Sequence, residues 1–194
     1  TPSSEIMESL AAVAEKRNFY AEWSVNEKVA LEAAAGASFA GIRAITSMKQ
    51  NGINVASDFL ANLVMSGIGA GLVLVSCDDP SAISSSNEQD TRTIAKWLDI
   101  PLLEPATFQE AKDMTKWAFD LAEELDAVCL LRSVTRIAHA RGNVVLGELP
   151  RKEQKAHFGD VCPVTPTLTK FIPYLSPWKH RQLHLKLERA REIF

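Results

Sequence analysis

The chain has 194 residues, 46% hydrophobic and 23% charged, with a net charge of −3. That is the composition of a soluble globular domain of generous size, or of one domain with an appendage. A protein that neutralises nucleic-acid phosphates needs a basic excess, which is absent, so a nucleic-acid partner is excluded. Cys77, Cys129 and Cys162 share no metal-like spacing and cannot all pair, which points to a reduced, cytoplasmic setting. No basic-then-apolar leader precedes Thr1-Pro2, and the chain begins without Met, as if inside a longer sequence.

The elements follow in chain order. Ser3 or Ser4 caps a helix whose apolar positions Ile6, Leu10 and Val13 recur at helical spacing, ending near Arg17. Residues 19–25 read as a short strand. Asn26 caps a second, alanine-rich helix that runs to about Gly41. Residues 43–48 form a strand and 52–65 a third helix. Leu72 to Val75 are four consecutive apolar residues, too short for a helix, so 72–77 is a buried strand. Residues 78–86 are a polar loop, 88–98 a helix and 101–104 a short strand. Thr107 caps a long helix over 108–125, and 127–132 is another buried strand.

Strand and helix alternate with short connections through residue 132. This predicts an α/β fold, a mostly parallel sheet with helices on both faces. After Arg141 the chain turns basic and irregular, broken by Pro150, Pro163, Pro166, Pro173 and Pro177, before a helix over 178–193. The division falls at 1–145 and 146–194, and the second part is expected to lie across the first or lead to a neighbour. The uncharged run between Asp58 and Asp78 is nearly long enough to span a bilayer. Asn62, Ser66 and three glycines interrupt it, and its halves read as helix then strand, so no membrane span is expected.

Few residues stand out for chemistry. The glycines Gly67, Gly69 and Gly71 follow a helix and precede a strand, the reverse of the order a dinucleotide-binding turn requires. They read as a helix-terminating turn. His180 and His184 lie one helical turn apart, a metal-pair spacing, but no acidic ligand pattern surrounds them, and a solvated face is the simpler reading. No metal site is assigned. The hydroxyl- and amide-rich segment 81–90 follows a predicted parallel strand, where open α/β sheets bind ligands, although Asn87 equally suits a capped turn. Glu27 occupies the first turn of the alanine-rich helix, where a carboxylate ordinarily compensates the helix dipole. Small residues Ala33, Gly36, Ala37, Ala40 and Gly41 let another backbone approach that helix, whether a partner helix or the sheet.

Thr1-Pro2-Ser3-Ser4 resembles the end of the Tyr-Pro-x-Thr-Pro-Ser-Ser segment of thiamine-diphosphate-dependent 2-oxoacid:ferredoxin oxidoreductases. Glu22-Trp23-Ser24-Val25-Asn26-Glu27 and Gly36-Ala37-Ser38-Phe39-Ala40-Gly41 resemble the first helix region of their pyrimidine-binding domain. Met48-Lys49-Gln50-x-Gly52-x-Asn54, Asp78-Asp79-Pro80, Asn87-Glu88-Gln89-Asp90 and Leu131-Arg132-x2-Thr135-Arg136 extend the likeness, which is nearest to the indolepyruvate:ferredoxin oxidoreductase alpha subunits and covers about residues 1–145.

The resemblance implies a thiamine diphosphate shared with a diphosphate-binding domain of the same or a second subunit. Glu27 matches the glutamate that hydrogen-bonds N1′ of the aminopyrimidine, a task for a proton-sharing carboxyl in a dry interface. Thr46 and Lys49 are the further cofactor contacts. Thr1, Lys49 and Gln89 are the substrate contacts, with Lys49 read either as attracting a 2-oxo acid carboxylate or as a solvated loop lysine. The implied reaction is oxidative decarboxylation of an aryl 2-oxo acid to an acyl-CoA, with ferredoxin as electron acceptor, in a homo- or hetero-oligomer. The chain contains no Gly-Asp-Gly segment for Mg²⁺ and diphosphate and no Cys-x2-Cys-x2-Cys run for [4Fe-4S] clusters. Both are therefore expected elsewhere in the complex, and this chain, a fragment or a split subunit, is expected to be inactive alone. The alternatives are a non-catalytic scaffold module and the half-site of a non-oxidative 2-oxo acid decarboxylase.

Overall fold

The computed structural model describes residues 3–148, 154–157 and 175–194. Helix α1 (Ser4–Arg17) precedes α2 (Glu27–Phe39), and an alternating series follows: β1 (Ala44–Lys49), α3 (Gln50–Ser66), β2 (Leu72–Asp78), α4 (Arg92–Trp97), β3 (Leu102–Leu103), α5 (Phe108–Leu125) and β4 (Cys129–Val134). A single turn, α6 (Thr135–Ala138), continues from β4, and α7 (Leu175–Ile193) closes the chain. The four strands form one parallel sheet in the order β1-β2-β4-β3. All seven residues of β2 are buried. Successive side chains of a strand point to opposite faces, so the sheet is covered on both.

Local chemistry sets the helix ends. Asn26 Oδ1 accepts a hydrogen bond from Val29 N at 3.0 Å, which starts α2 at Glu27. Thr107 Oγ1 accepts from Glu110 N at 3.1 Å, while the Glu110 carboxylate reaches back to Ala106 N at 2.7 Å. Asp126 ends α5 in the left-handed conformation, and its carboxylate accepts from Ile68 N at 3.0 Å.

Two expectations change. Residues 19–25 form no strand, and Tyr20, Trp23 and Val25 are exposed. Aromatic and β-branched residues favour a strand only where a neighbouring strand and a covering layer exist, and among the described residues no strand pairs with this segment. The helix expected from residue 88 begins only at Arg92, because Thr91 N donates to Asp78 Oδ2 at 3.0 Å and Arg92 N to Asp90 Oδ1 at 3.0 Å. Those two carboxylates hold the preceding residues out of the helix.

The glycine-rich turn is a helix terminator: Gly67 ends α3 at φ +84 and its amide donates to Leu63 O. Helix α7 buries Leu183 and Ala190 against the domain, and Trp117 and Phe194 meet edge to face at 5.1 Å. Of the prolines that break up the tail, Pro150, Pro163, Pro166 and Pro173 lie outside the described residues, as does Cys162. Among the described residues no helix is long and apolar enough to cross a membrane.

A Cβ on Gly69 would lie 2.2 Å from the Ser38 carbonyl oxygen, whereas one on Gly36 meets nothing within 4 Å. Gly69→Ala is expected to lower stability by roughly 1–3 kcal/mol through overpacking. Gly36→Ala, in a helix interior with room to spare, is expected to raise it by about 0.5–1 kcal/mol. Denaturant titration of the two variants beside the parent checks both signs.

Candidate functional site

The polar residues converge where β1, β2 and β4 end. Asp78 closes β2 with its side chain wholly buried, and Arg132 of β4, 4% exposed, donates through Nε to Asp78 Oδ2 at 2.6 Å. Ser76 Oγ donates to Asp78 Oδ1 at 2.7 Å, and Thr91 donates to Asp78 through both its hydroxyl and its amide. A second guanidinium nitrogen of Arg132 bonds Glu104. A buried carboxylate is tolerable only with its charge matched and its lone pairs filled, and both conditions hold here.

The next residue serves the other end of the loop. Asp79 accepts from Thr135 Oγ1 at 2.6 Å and from Ser84 N at 2.7 Å. These hydrogen bonds, led by that from Thr135, hold its carboxyl well below the usual range against the opposing effect of burial. Two consecutive aspartates thus fix the segment between β2 and α4 at Ser84 and at Thr91.

Helix α3 grips the same segment from the other side. Lys49 Nζ donates to Ser84 O at 3.2 Å, Gln50 Nε2 to Asn87 O at 3.3 Å, and Asn54 Nδ2 to Gln89 Oε1 at 2.8 Å. On this first turn Gly52 meets Glu27 from the start of α2. A Cβ at Gly52 would sit 2.4 Å from Glu27 Cγ and 2.9 Å from Met48 Cβ, so the glutamate side chain occupies the space that a glycine leaves. Glu27 is half-buried, and among the described residues its carboxylate has no hydrogen-bond or ion-pair partner. Two more polar atoms of this turn, Gln50 Oε1 and Asn51 Oδ1, are buried with no partner among the described residues. Leaving such an atom unsatisfied costs about 1–3 kcal/mol, which a bound polar group or water would offset.

The structure thus sets each of three expected residues at the start of α3: Glu27 against Gly52, Gln89 on Asn54, and Lys49 as the residue before the helix. Thr46 lies in mid-strand, buried and on the same face of β1 as Met48. Thr1 lies outside the described residues. Lys49 is half-buried and its ammonium donates to the Ser84 carbonyl. Sequence reasoning assigned no role to the Glu27–Gly52 contact, to Gln50 or to the Asp78–Arg132 pair. The available signals were a glycine just after a strand and opposite charges ending two apolar runs. Cys77 and Cys129 are buried and unpaired, and burial pushes both thiols up to about 12, so neither is a nucleophile.

Residues 1–170 match the family described as pyruvate flavodoxin/ferredoxin oxidoreductase, thiamine diphosphate-binding. The chain belongs to this family. It is 50% identical to indolepyruvate oxidoreductase subunit IorA of Pyrococcus abyssi, covering 100% of this chain and 30% of that subunit. To the same subunit of Archaeoglobus fulgidus it is 50% identical over 79% of this chain and 25% of that one. The chain thus spans about a third of the length of these relatives. In fold it is similar to 2-oxoglutarate:ferredoxin oxidoreductase from Magnetococcus marinus, with a TM-score of 0.71 and 17% identity, over 100% of this chain and 41% of that one.

The family's cofactor can be tested against the residues present. A carboxylate held on a glycine, with no partner among the described residues and two unsatisfied amide oxygens on the same turn, fits the aminopyrimidine end of thiamine diphosphate. No Gly-Asp-Gly segment occurs for the diphosphate end.

Because the folded carboxyl of Asp79 titrates below its unfolded value, its contribution is present above about pH 4 and is lost as pH falls below that. Asp79→Asn is expected to lower stability at neutral pH and to flatten the decline in acid. Urea midpoints measured from pH 7 down to pH 3 check this, a parallel decline in parent and variant being the contrary result.

Proposed function

We propose that this chain supplies the aminopyrimidine half-site of a thiamine diphosphate enzyme, an indolepyruvate-type 2-oxoacid:ferredoxin oxidoreductase, with Glu27 as its acid/base. The observation that carries the reading is the Glu27 carboxylate seated on Gly52, with no partner among the described residues. When bound, thiamine diphosphate supplies the carbon that takes up a 2-oxo carbonyl and the electron sink for decarboxylation.

What the protein contributes is placement. Glu27 holds and moves a proton at N1′ of the aminopyrimidine, and its reach is set by contact with Gly52 rather than by an ion pair that would compete for that proton. Lys49, anchored on Ser84 O, presents a cation for the carboxylate of the 2-oxo acid, and Gln89, steadied by Asn54, stands at the same helix start. Thr1, by its Thr-Pro motif, adds a substrate contact.

Residues 1–145 form the pyrimidine-binding domain, and 146–194 a linker and helix docked back on it. A second domain or subunit holds Mg²⁺ and the diphosphate, and [4Fe-4S] clusters elsewhere pass electrons to ferredoxin while coenzyme A takes the acyl group. Support for a second body comes from the exposed apolar residues Trp23, Val25, Val29 and Val55 and from the open face at Gly36. The two free, buried cysteines accord with a reducing, cytoplasmic setting.

In the intact enzyme, Glu27→Gln is expected to slow C2 proton exchange of bound thiamine diphosphate by about 10²-fold or more, with unchanged circular dichroism. Gly52→Ala, which displaces the same carboxylate without removing it, is expected to slow exchange by up to about 10²-fold. Exchange at the parental rate in the folded Glu27→Gln enzyme would contradict the proposal.

A further inference from the structure

Among the described residues, apart from the surroundings of Glu27, one side-chain cluster brings metal-ligating atoms together from distant parts of the chain. His180 and His184 lie on one face of α7, a turn apart, with ring centroids 4.5 Å from each other. The acidic partner that the sequence around them lacks comes from Asp99, in the turn between α4 and β3. The Nε2 atoms of His180 and His184 lie 3.6 and 3.1 Å from the same Asp99 carboxylate oxygen. One ligand atom from each of the three residues falls within 4.8 Å of the others. Asp99 adopts φ +55, a left-handed conformation that aspartate tolerates better than most residues.

The two nitrogen-to-oxygen separations bracket those of a coordination shell. Tetrahedral zinc with bonds of about 2.0–2.1 Å spaces its ligand atoms about 3.3–3.4 Å apart. An ion pair with Asp99 needs only one imidazole, yet two converge on it. We propose that Asp99, His180 and His184 form a site for a divalent transition-metal ion, zinc fitting the ligand set best.

Imidazole with carboxylate favours zinc, nickel or copper over magnesium, which demands an oxygen shell. The histidine side chains are 57% and 58% exposed, so water completes the coordination. The ion would staple the first half of α7 to the α4–β3 turn. Lys186 on Asp126 and Arg189 on Glu124 already hold the second half. This site stands independently of the thiamine reading.

The test is calorimetric titration of Zn²⁺ into the intact, chelator-treated protein, in parallel with Asp99→Asn, His180→Gln and His184→Gln. Asparagine is close to isosteric with the half-buried aspartate and tolerates the left-handed turn, and both histidines are exposed, so folding is preserved. The parent is expected to take up one more equivalent at micromolar affinity than the variants, which lose that equivalent or bind it more than about tenfold weaker. Co²⁺ is expected to give an intense visible absorption in the parent that the variants lack. Equal stoichiometry and affinity in parent and variants, or no Zn²⁺ uptake beyond theirs, would overturn the proposal.

Discussion

A carboxylate without access to water ends the central strand, and the arginine of the neighbouring strand makes it tolerable. Asp78 and Arg132 meet at 2.6 Å with both side chains almost wholly buried. Removing Arg132 would leave the buried Asp78 charge uncompensated, a loss of about 3–5 kcal/mol, whereas Arg132 would keep Glu104 if Asp78 were removed. The pair also organises what lies above it. Asp78 takes the Thr91 amide, Asp79 takes that of Ser84, and the segment between them has both ends fixed to the carboxyl end of the sheet. Helix α3 then has a firm surface to grip through Lys49, Gln50 and Asn54.

That chain of support ends at Glu27. The first turn of α3 is held on one side by this segment and carries Gly52 on the other. The space of the absent Cβ is where the glutamate side chain lies. A carboxylate placed by packing, with no cation paired to it among the described residues, remains available to exchange a proton with a bound group. Lys49 serves the opposite electrostatic need a few residues away, at the end of β1. Acid and cation thus stand on the two borders of one strand-to-helix turn.

Helix boundaries set by side chains a few residues away were legible in the sequence, as with Asn26 and Thr107, since their capping partners lie three residues on. The fully apolar run of β2 likewise revealed a strand covered on both faces. What failed to read depended on distant partners. The segment 19–25 has strand-like residues but, among the described residues, no strand beside it, and the start of α4 is set by a carboxylate on another strand. The candidate site divides the same way. Glu27, Lys49 and Gln89 were reached through motifs, whereas the seat at Gly52 and the approach of Asp99 to the α7 histidines exist only once the chain is folded.

The placement of Glu27 is the central claim, and a crystal structure of the intact protein with thiamine diphosphate bound tests it most directly. The account predicts the Glu27 carboxylate within hydrogen-bond distance of N1′ of the aminopyrimidine, still packed on Gly52. An aminopyrimidine bound elsewhere, with Glu27 turned to solvent, would contradict it.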